Sequence, residues 1–206
     1  TVVKSAMVGL SRSEDVTVIA PEAWGLNLGT GSESNQQLTS EMGSPRILRP
    51  WYPSISNRIL PWGISTYHLT LRSFEWAAAR ATRLISERPD ITYGHFLFPA
   101  GETAANIGEQ WQIPRVAVIG ESQFSLYEKY VGLERARNVA RRLSGVIAVS
   151  EQNFEYAVSN LGLNSEKILL LPNAANTMLF TPRDRLEMRR KLGLPKERRL
   201  VVLPVK

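Results

Sequence analysis

The sequence predicts an α/β protein built on a doubly wound parallel sheet. Three observations predict it. Short apolar or β-branched runs alternate with segments whose apolar residues recur at three- and four-residue spacing, the periods of strand and amphipathic helix. The strand-like runs are apolar on both sides, as in parallel sheets covered on two faces. Several of these runs end in polar or chemically capable residues, at the edge where such sheets bind ligands.

The elements follow in order. "TVVKSAMVGL" reads as a helix, and "DVTVIAP" (15–21) as a buried strand ended by Pro21. The next stretch, 22–63, is rich in Gly, Ser and Pro with scattered aromatics, and reads as irregular around a short extended piece. From Ser65 to Glu87 the period turns helical: Tyr67, Leu71, Phe74, Ala78, Ala81 and Ile85 share a face, while Arg72, Arg80 and Arg83 point elsewhere. Pro89 stops this helix. "DITYGHF" is the next strand, "ETAANIGEQW" (102–111) a helix and "IPRVAVIG" a strand. Residues 124–144 form one helix, "GVIAVS" (145–150) a strand, "EQNFEYAVSNLG" a helix ended by Gly162, and "EKILLLPN" a last strand.

The strand ends carry the candidate chemistry. His95 closes "DITYGH", either as a core histidine bonded to a carbonyl or as a polar group aimed into a cleft, able to orient a sugar or phosphate or to exchange a proton. Gly101, at the next helix start, would let a ligand approach the backbone. Gly120, Glu121 and Ser122 follow the next strand: a carboxylate and hydroxyl that can bind acceptor hydroxyls or act as a base, or, for Ser122, a helix cap. Ser150 reads first as a cap. Asn173 sits in the turn after Pro172.

Taken in order, "PDITYGHFLFPAG", "IPRVAVIGES", "LSGVIAVSEQNFEYAVSNLGLNSEKILLLPNAANTMLFTPRDR" and "RRKLGLPKERRLVVL" resemble the N-terminal half of family 4 glycosyltransferases. The likeness spans about residues 85 to 203 and is most specific from Val146 to Phe180. The resemblance implies the GT-B fold, with two Rossmann-like domains, this chain holding the acceptor side. It also implies transfer of a sugar from a nucleotide-sugar donor with retention, no bound metal and no cofactor beyond the donor. His95 matches the second histidine of the family's HxH strand end, and Tyr93 stands in place of the first. The family's histidine after the third strand is replaced by Gly120 and Glu121, and Ala174 and Asn176 replace the usual Gly and Asp of its last motif. His95 and Glu121 are therefore the candidate catalytic residues, with Gly101, Gly120, Ser122 and Asn173 as substrate-binding candidates.

The same resemblance sets the expected domains. Residues 1–180 form the N-terminal domain without its first strand, and 181–206 a linker and the start of a truncated donor domain. Such a fragment is expected to be inactive alone and, with an unpaired strand edge, poorly stable.

Composition bounds the remaining classes. There is no cysteine and there are two histidines, which excludes disulfides, thiolate chemistry and histidine-rich metal sites. No apolar run approaches the roughly 18 to 20 residues of a membrane span, so a cytoplasmic location is expected. The net charge of +6 is concentrated in arginine: seven lie between Arg46 and Arg88 against Glu75 and Glu87, and eight basic residues between Arg183 and Arg199 face three acidic ones. These fields suit phosphate-bearing partners, including an anionic membrane surface under the 65–87 helix; the family resemblance implies a glycan, lipid-linked or metabolite acceptor and polysaccharide biosynthesis. No nucleic-acid motif is present. The alternatives are a non-catalytic arginine-rich α/β module binding phosphate-bearing ligands and a sugar-nucleotide epimerase of the same fold.

Overall fold

The computed structural model describes residues 2–24, 44–54, 61, 65–122, 124–175, 177 and 180–200. The chain divides into two compact units, Thr1–Pro172 and Asn173–Lys206.

The first unit is an α/β assembly in which, among the described residues, every strand pairing is parallel. After helix α1 (Val2–Leu10), strands β1 (Thr17–Ile19) and β3 (Arg46–Leu48) pair with each other, as do β2 (Glu22–Trp24) and β4 (Trp51–Pro53). Three of these three-residue strands fall in the stretch expected to be irregular; runs so short show no period in the sequence. Helix α2 (Tyr67–Thr82) follows.

The main sheet has the order β5 (Thr92–His95), β6 (Arg115–Ile119), β7 (Gly145–Ala148), β8 (Ile168–Leu170). Helix α3 (Glu102–Trp111) connects β5 to β6, and α6 (Glu151–Ser159) connects β7 to β8. Between β6 and β7 the expected single helix is two, α4 (Phe124–Tyr130) and α5 (Leu133–Arg142). The break falls at Gly132, whose φ of 88° is a left-handed angle that no continuous right-handed helix contains.

One face of the sheet makes the core. Ala117 and Ile119 of β6, Val146 and Ala148 of β7 and Ile168 of β8 pack with Ala105 of α3, Ala136, Val139 and Ala140 of α5, and Tyr156 and Ala157 of α6. The small residues bring helix axes close to the sheet. At β5 main chain meets main chain: a Cβ on Gly94 would stand 2.4 Å from the Cα of Gly101. Because side chains alternate across a strand, Tyr93 and His95 of β5 occupy the opposite face from Gly94, in register with Val116 and Val118 of β6.

The second unit contains α7 (Arg185–Lys191), capped by the Asp184 carboxylate, which accepts from the Glu187 N–H at 2.7 Å. Gly193, at φ 66°, ends its last turn, and the Arg189 guanidinium donates to the Pro195 carbonyl at 2.8 Å. Residues 201–206, within the expected start of a donor domain, lie outside the described residues.

Candidate functional site

The carboxyl ends of β5 and β6 are joined by one side chain. Glu121 follows β6 directly, and its Oε1 accepts from the Leu97 N–H at 3.0 Å while Oε2 accepts from the Gly120 N–H at 2.9 Å. Burial raises the carboxyl pKa above its ordinary 4.5, and the amide bonds from Leu97 and Gly120 work against that rise. The Glu121 carbonyl accepts from Asn153 Nδ2 at 2.9 Å, which ties the same residue to the first turn of α6. Asn153 is buried, and Ser150 Oγ donates to its Oδ1 at 2.5 Å while accepting its N–H at 3.2 Å. Ser150 is therefore the α6 cap that the sequence suggested. Ser122 is exposed beside Glu121.

His95 stands partly exposed at the end of β5. Burial holds its pKa below the ordinary 6.5, so the imidazole is neutral at pH 7. Its Nδ1 lies 3.3 Å from the Tyr93 hydroxyl, and the Phe96 ring packs edge-on against it with centroids 4.6 Å apart. Nε2 is left as the second hydrogen-bonding atom, donor or acceptor according to what the phenol does at Nδ1.

Phe96 has φ 71° and ψ 151°, a region that glycine occupies freely and a bulky residue does not. That angle turns the chain out of β5 into the five-residue turn Leu97–Gly101, closed by the Gly101 N–H on the Phe96 carbonyl at 2.9 Å. Phe96 is 40% exposed, with its ring beside His95 and Gly120. Gly101 itself is buried; a Cβ there would meet the Phe96 carbonyl oxygen at 2.9 Å and the Ala117 Cβ at 3.1 Å. Its missing side chain serves the seating of α3 on the sheet, where the sequence had suggested room for a ligand.

A second polar group sits at the N-terminal ends of three helices. Arg135 of α5 forms a two-pronged pair with Glu102 of α3, Nε to Oε1 at 2.8 Å and Nη2 to Oε2 at 2.9 Å. Its Nη1 lies 2.7 Å from His68 Nδ1 of α2. A guanidinium only donates, so His68 accepts there and carries its proton on Nε2. Burial, then the Arg135 charge, lowers the His68 pKa. The neighbouring Tyr67 phenol is pushed up by burial first, and further by Tyr52, Glu102 and Glu121.

The structure thus brings His95, Gly120 and Glu121 together at one edge, with Ser122 adjoining. Asn173 is placed differently: it opens the second unit, exposed after Pro172. Phe96, Asn153 and the Arg135–Glu102–His68 group were not foreseen. The Ser150 to Asn153 spacing in "SEQN" was the one available signal among them. Among the described residues no group of three His, Asp or Glu side chains is placed to hold a metal ion, and no helix is long and apolar enough to cross a membrane.

Comparison with known proteins bears on what this edge does. The model of the family described as Glycosyltransferase Family 4 matches residues 9–179. A Bacillus subtilis (strain 168) protein named as a teichuronic acid biosynthesis glycosyltransferase, TuaC, is 28% identical over 160 residues, covering 76% of this chain and 39% of that protein. The chain spans less than half the length of this relative.

Proposed function

This chain belongs to glycosyltransferase family 4, and from that premise we propose that its first unit is the acceptor side of a retaining enzyme that moves a sugar from a nucleotide-sugar donor. The acceptor is a hydroxyl of a glycan, a lipid-linked sugar or a glycosylated metabolite; the name of the Bacillus relative favours a polysaccharide product. The observation that carries the proposal is His95, partly exposed at the carboxyl end of a parallel strand with its Nδ1 beside the Tyr93 hydroxyl.

A hydroxyl of the acceptor sugar next to the attacking one donates to Nε2 of His95, in the tautomer whose Nδ1–H is held by the Tyr93 oxygen, which leaves the proton of the attacking hydroxyl free. The oxygen of that attacking hydroxyl meets the anomeric carbon on the face that the nucleotide leaves. The new carbon–oxygen bond forms as the bond to the leaving phosphate breaks, the electron pair departs with the diphosphate, and the hydroxyl proton passes to a diphosphate oxygen. His95 contributes orientation of the attacking atom. Glu121, expected to bind acceptor hydroxyls or act as a base, has each carboxylate oxygen on a main-chain amide, which supports a positioning role: it holds the strand ends that present His95 and Phe96. Phe96 offers an apolar ring to the acceptor sugar. Gly120 and Ser122 are proposed as acceptor contacts through main-chain and short polar groups, and Asn173, on the second unit, as a separate substrate-binding residue.

The test is sugar transfer by the intact enzyme from a panel of nucleotide sugars, with His95→Ala beside the unaltered protein. Loss of turnover with donor binding retained is the expected result. Unchanged turnover would reduce His95 to a structural residue.

A further inference from the structure

Helix α2 carries a second pattern, separate from the cleft. Its inward face buries Thr70, Leu71, Ala77, Ala78 and Ala81. On the outward face Leu69 and Trp76 are 54% and 59% exposed, with Arg72 and Arg80 exposed between and beyond them and Arg83 at the C-terminal cap. At about 100° per residue these five positions fall within an arc of about 80° and run for about 20 Å along the axis. One stripe therefore interleaves two large apolar side chains with three guanidinium groups.

The arginines of this stripe are unlike those of α5. There three of the four, Arg135, Arg137 and Arg142, are each matched by a glutamate. Among the described residues no carboxylate lies within 4.0 Å of the Arg72, Arg80 or Arg83 guanidinium. Glu75, the acidic residue of the helix, instead accepts from Asn106 Nδ2 at 2.5 Å. The Arg80 guanidinium lies over the Trp76 ring, 5.6 Å from its centroid. An indole and a leucine held in water beside unmatched positive charge suit a surface that offers both apolar depth and a field of phosphates.

We propose that this face of α2 docks on an anionic phospholipid surface. Trp76 and Leu69 enter the boundary between headgroups and acyl chains, and Arg72, Arg80 and Arg83 pair with lipid phosphates. A continuous anionic surface satisfies all three guanidinium groups at once, which a single carboxylate on a partner would not. None of these residues belongs to the strand-end site, so this docking and the transferase mechanism stand or fall separately.

Flotation of the intact chain with vesicles tests it, comparing phosphatidylcholine alone with phosphatidylcholine mixed with phosphatidylglycerol. Binding is expected with the anionic vesicles and not with the neutral ones. Each arginine near such a surface contributes about fivefold to partitioning, so R72Q/R80Q/R83Q should bind about a hundredfold more weakly. K196Q/R198Q/R199Q removes the same charge from exposed positions of the second unit, and should bind as the unaltered chain does. Trp76→Ala should abolish the binding that survives at high salt. Equal partitioning to both vesicles, equal loss in both triple variants, or no binding at all would overturn the proposal. All six altered side chains are exposed, and circular dichroism melts verify that each variant is folded; R80Q alone, with its expected fivefold loss, replaces a triple variant that is not.

Discussion

The carboxylate of Glu121 accepts the main-chain N–H of Leu97 at 3.0 Å, so a side chain leaving β6 holds the first residue of the turn that leaves β5. Its other oxygen takes the Gly120 N–H. Both oxygens face donors, and Glu121→Gln would turn an amide NH₂ toward one of them. The loss of one buried hydrogen bond and the new donor–donor contact are expected to cost about 1 to 3 kcal/mol. Burial raises the folded pKa of Glu121 above 4.5. Its protonation therefore favours the fold: that contribution is complete below 4.5 and is lost as pH rises through the folded value. Thermal melts across the carboxylate range should show this component in the unaltered protein and lose it in Glu121→Gln.

His95 yields the opposite pH sign. Its folded pKa lies below 6.5, so between the folded value and 6.5 the unfolded chain holds more protons than the folded one. Stability contributed by the neutral imidazole is present above 6.5 and is lost as pH falls through the folded value. His68 has a lowered pKa as well and adds to the same acid loss. In turnover, kcat/KM should fall on the acid side with an apparent pKa below 6.5. His95→Ala, by releasing the acceptor from its orientation, should lower kcat/KM by about a hundredfold. His95→Gln, which keeps a hydrogen-bonding group but does not titrate, should flatten the acid limb. An acid limb unchanged in His95→Gln would assign it to another group.

Arg135 and Glu102 tie α5 to α3, and His68 brings in α2. The Glu102 side chain is 11% exposed and that of Arg135 31%. Removing Glu102 leaves a half-buried guanidinium with the His68 nitrogen alone. Glu102→Ala is expected to cost about 2 to 3 kcal/mol, below the range for fully buried pairs because water reaches the arginine. The double variant with Arg135→Ala should be destabilised by less than the sum of the two, a coupling that urea unfolding of the four proteins measures.

The sheet and its helices were legible because apolar runs and helical spacing are local properties. Val116–Ile119 and Gly145–Ala148 read as strands by composition, and Leu71, Ala78 and Ala81 mark the inner face of α2 by spacing. Gly132 was not legible as a break, since glycine is tolerated within helices and a φ of 88° leaves no mark on residue spacing. His95 and Glu121 were legible as strand-end groups. Their surroundings were not: the Glu121–Leu97 bond spans 24 positions and the Arg135–His68 contact 67, separations at which a single sequence carries no spacing signal.

Phe96 separates backbone strain from side-chain contact. Its φ of 71° with ψ of 151° costs a non-glycine residue about 1 to 3 kcal/mol. Phe96→Gly relieves that strain, so the fold should be held or stabilised even though a half-exposed ring is lost. Phe96→Ala keeps the strain and loses the ring, and should be the less stable of the two by about 1 kcal/mol or more. Both lack the aromatic surface beside His95, so both should raise KM for the acceptor by a similar factor while leaving donor affinity unchanged. If the KM effect instead followed stability, rising in Phe96→Ala and absent in Phe96→Gly, the ring would have no part in holding the acceptor and the turn geometry alone would matter.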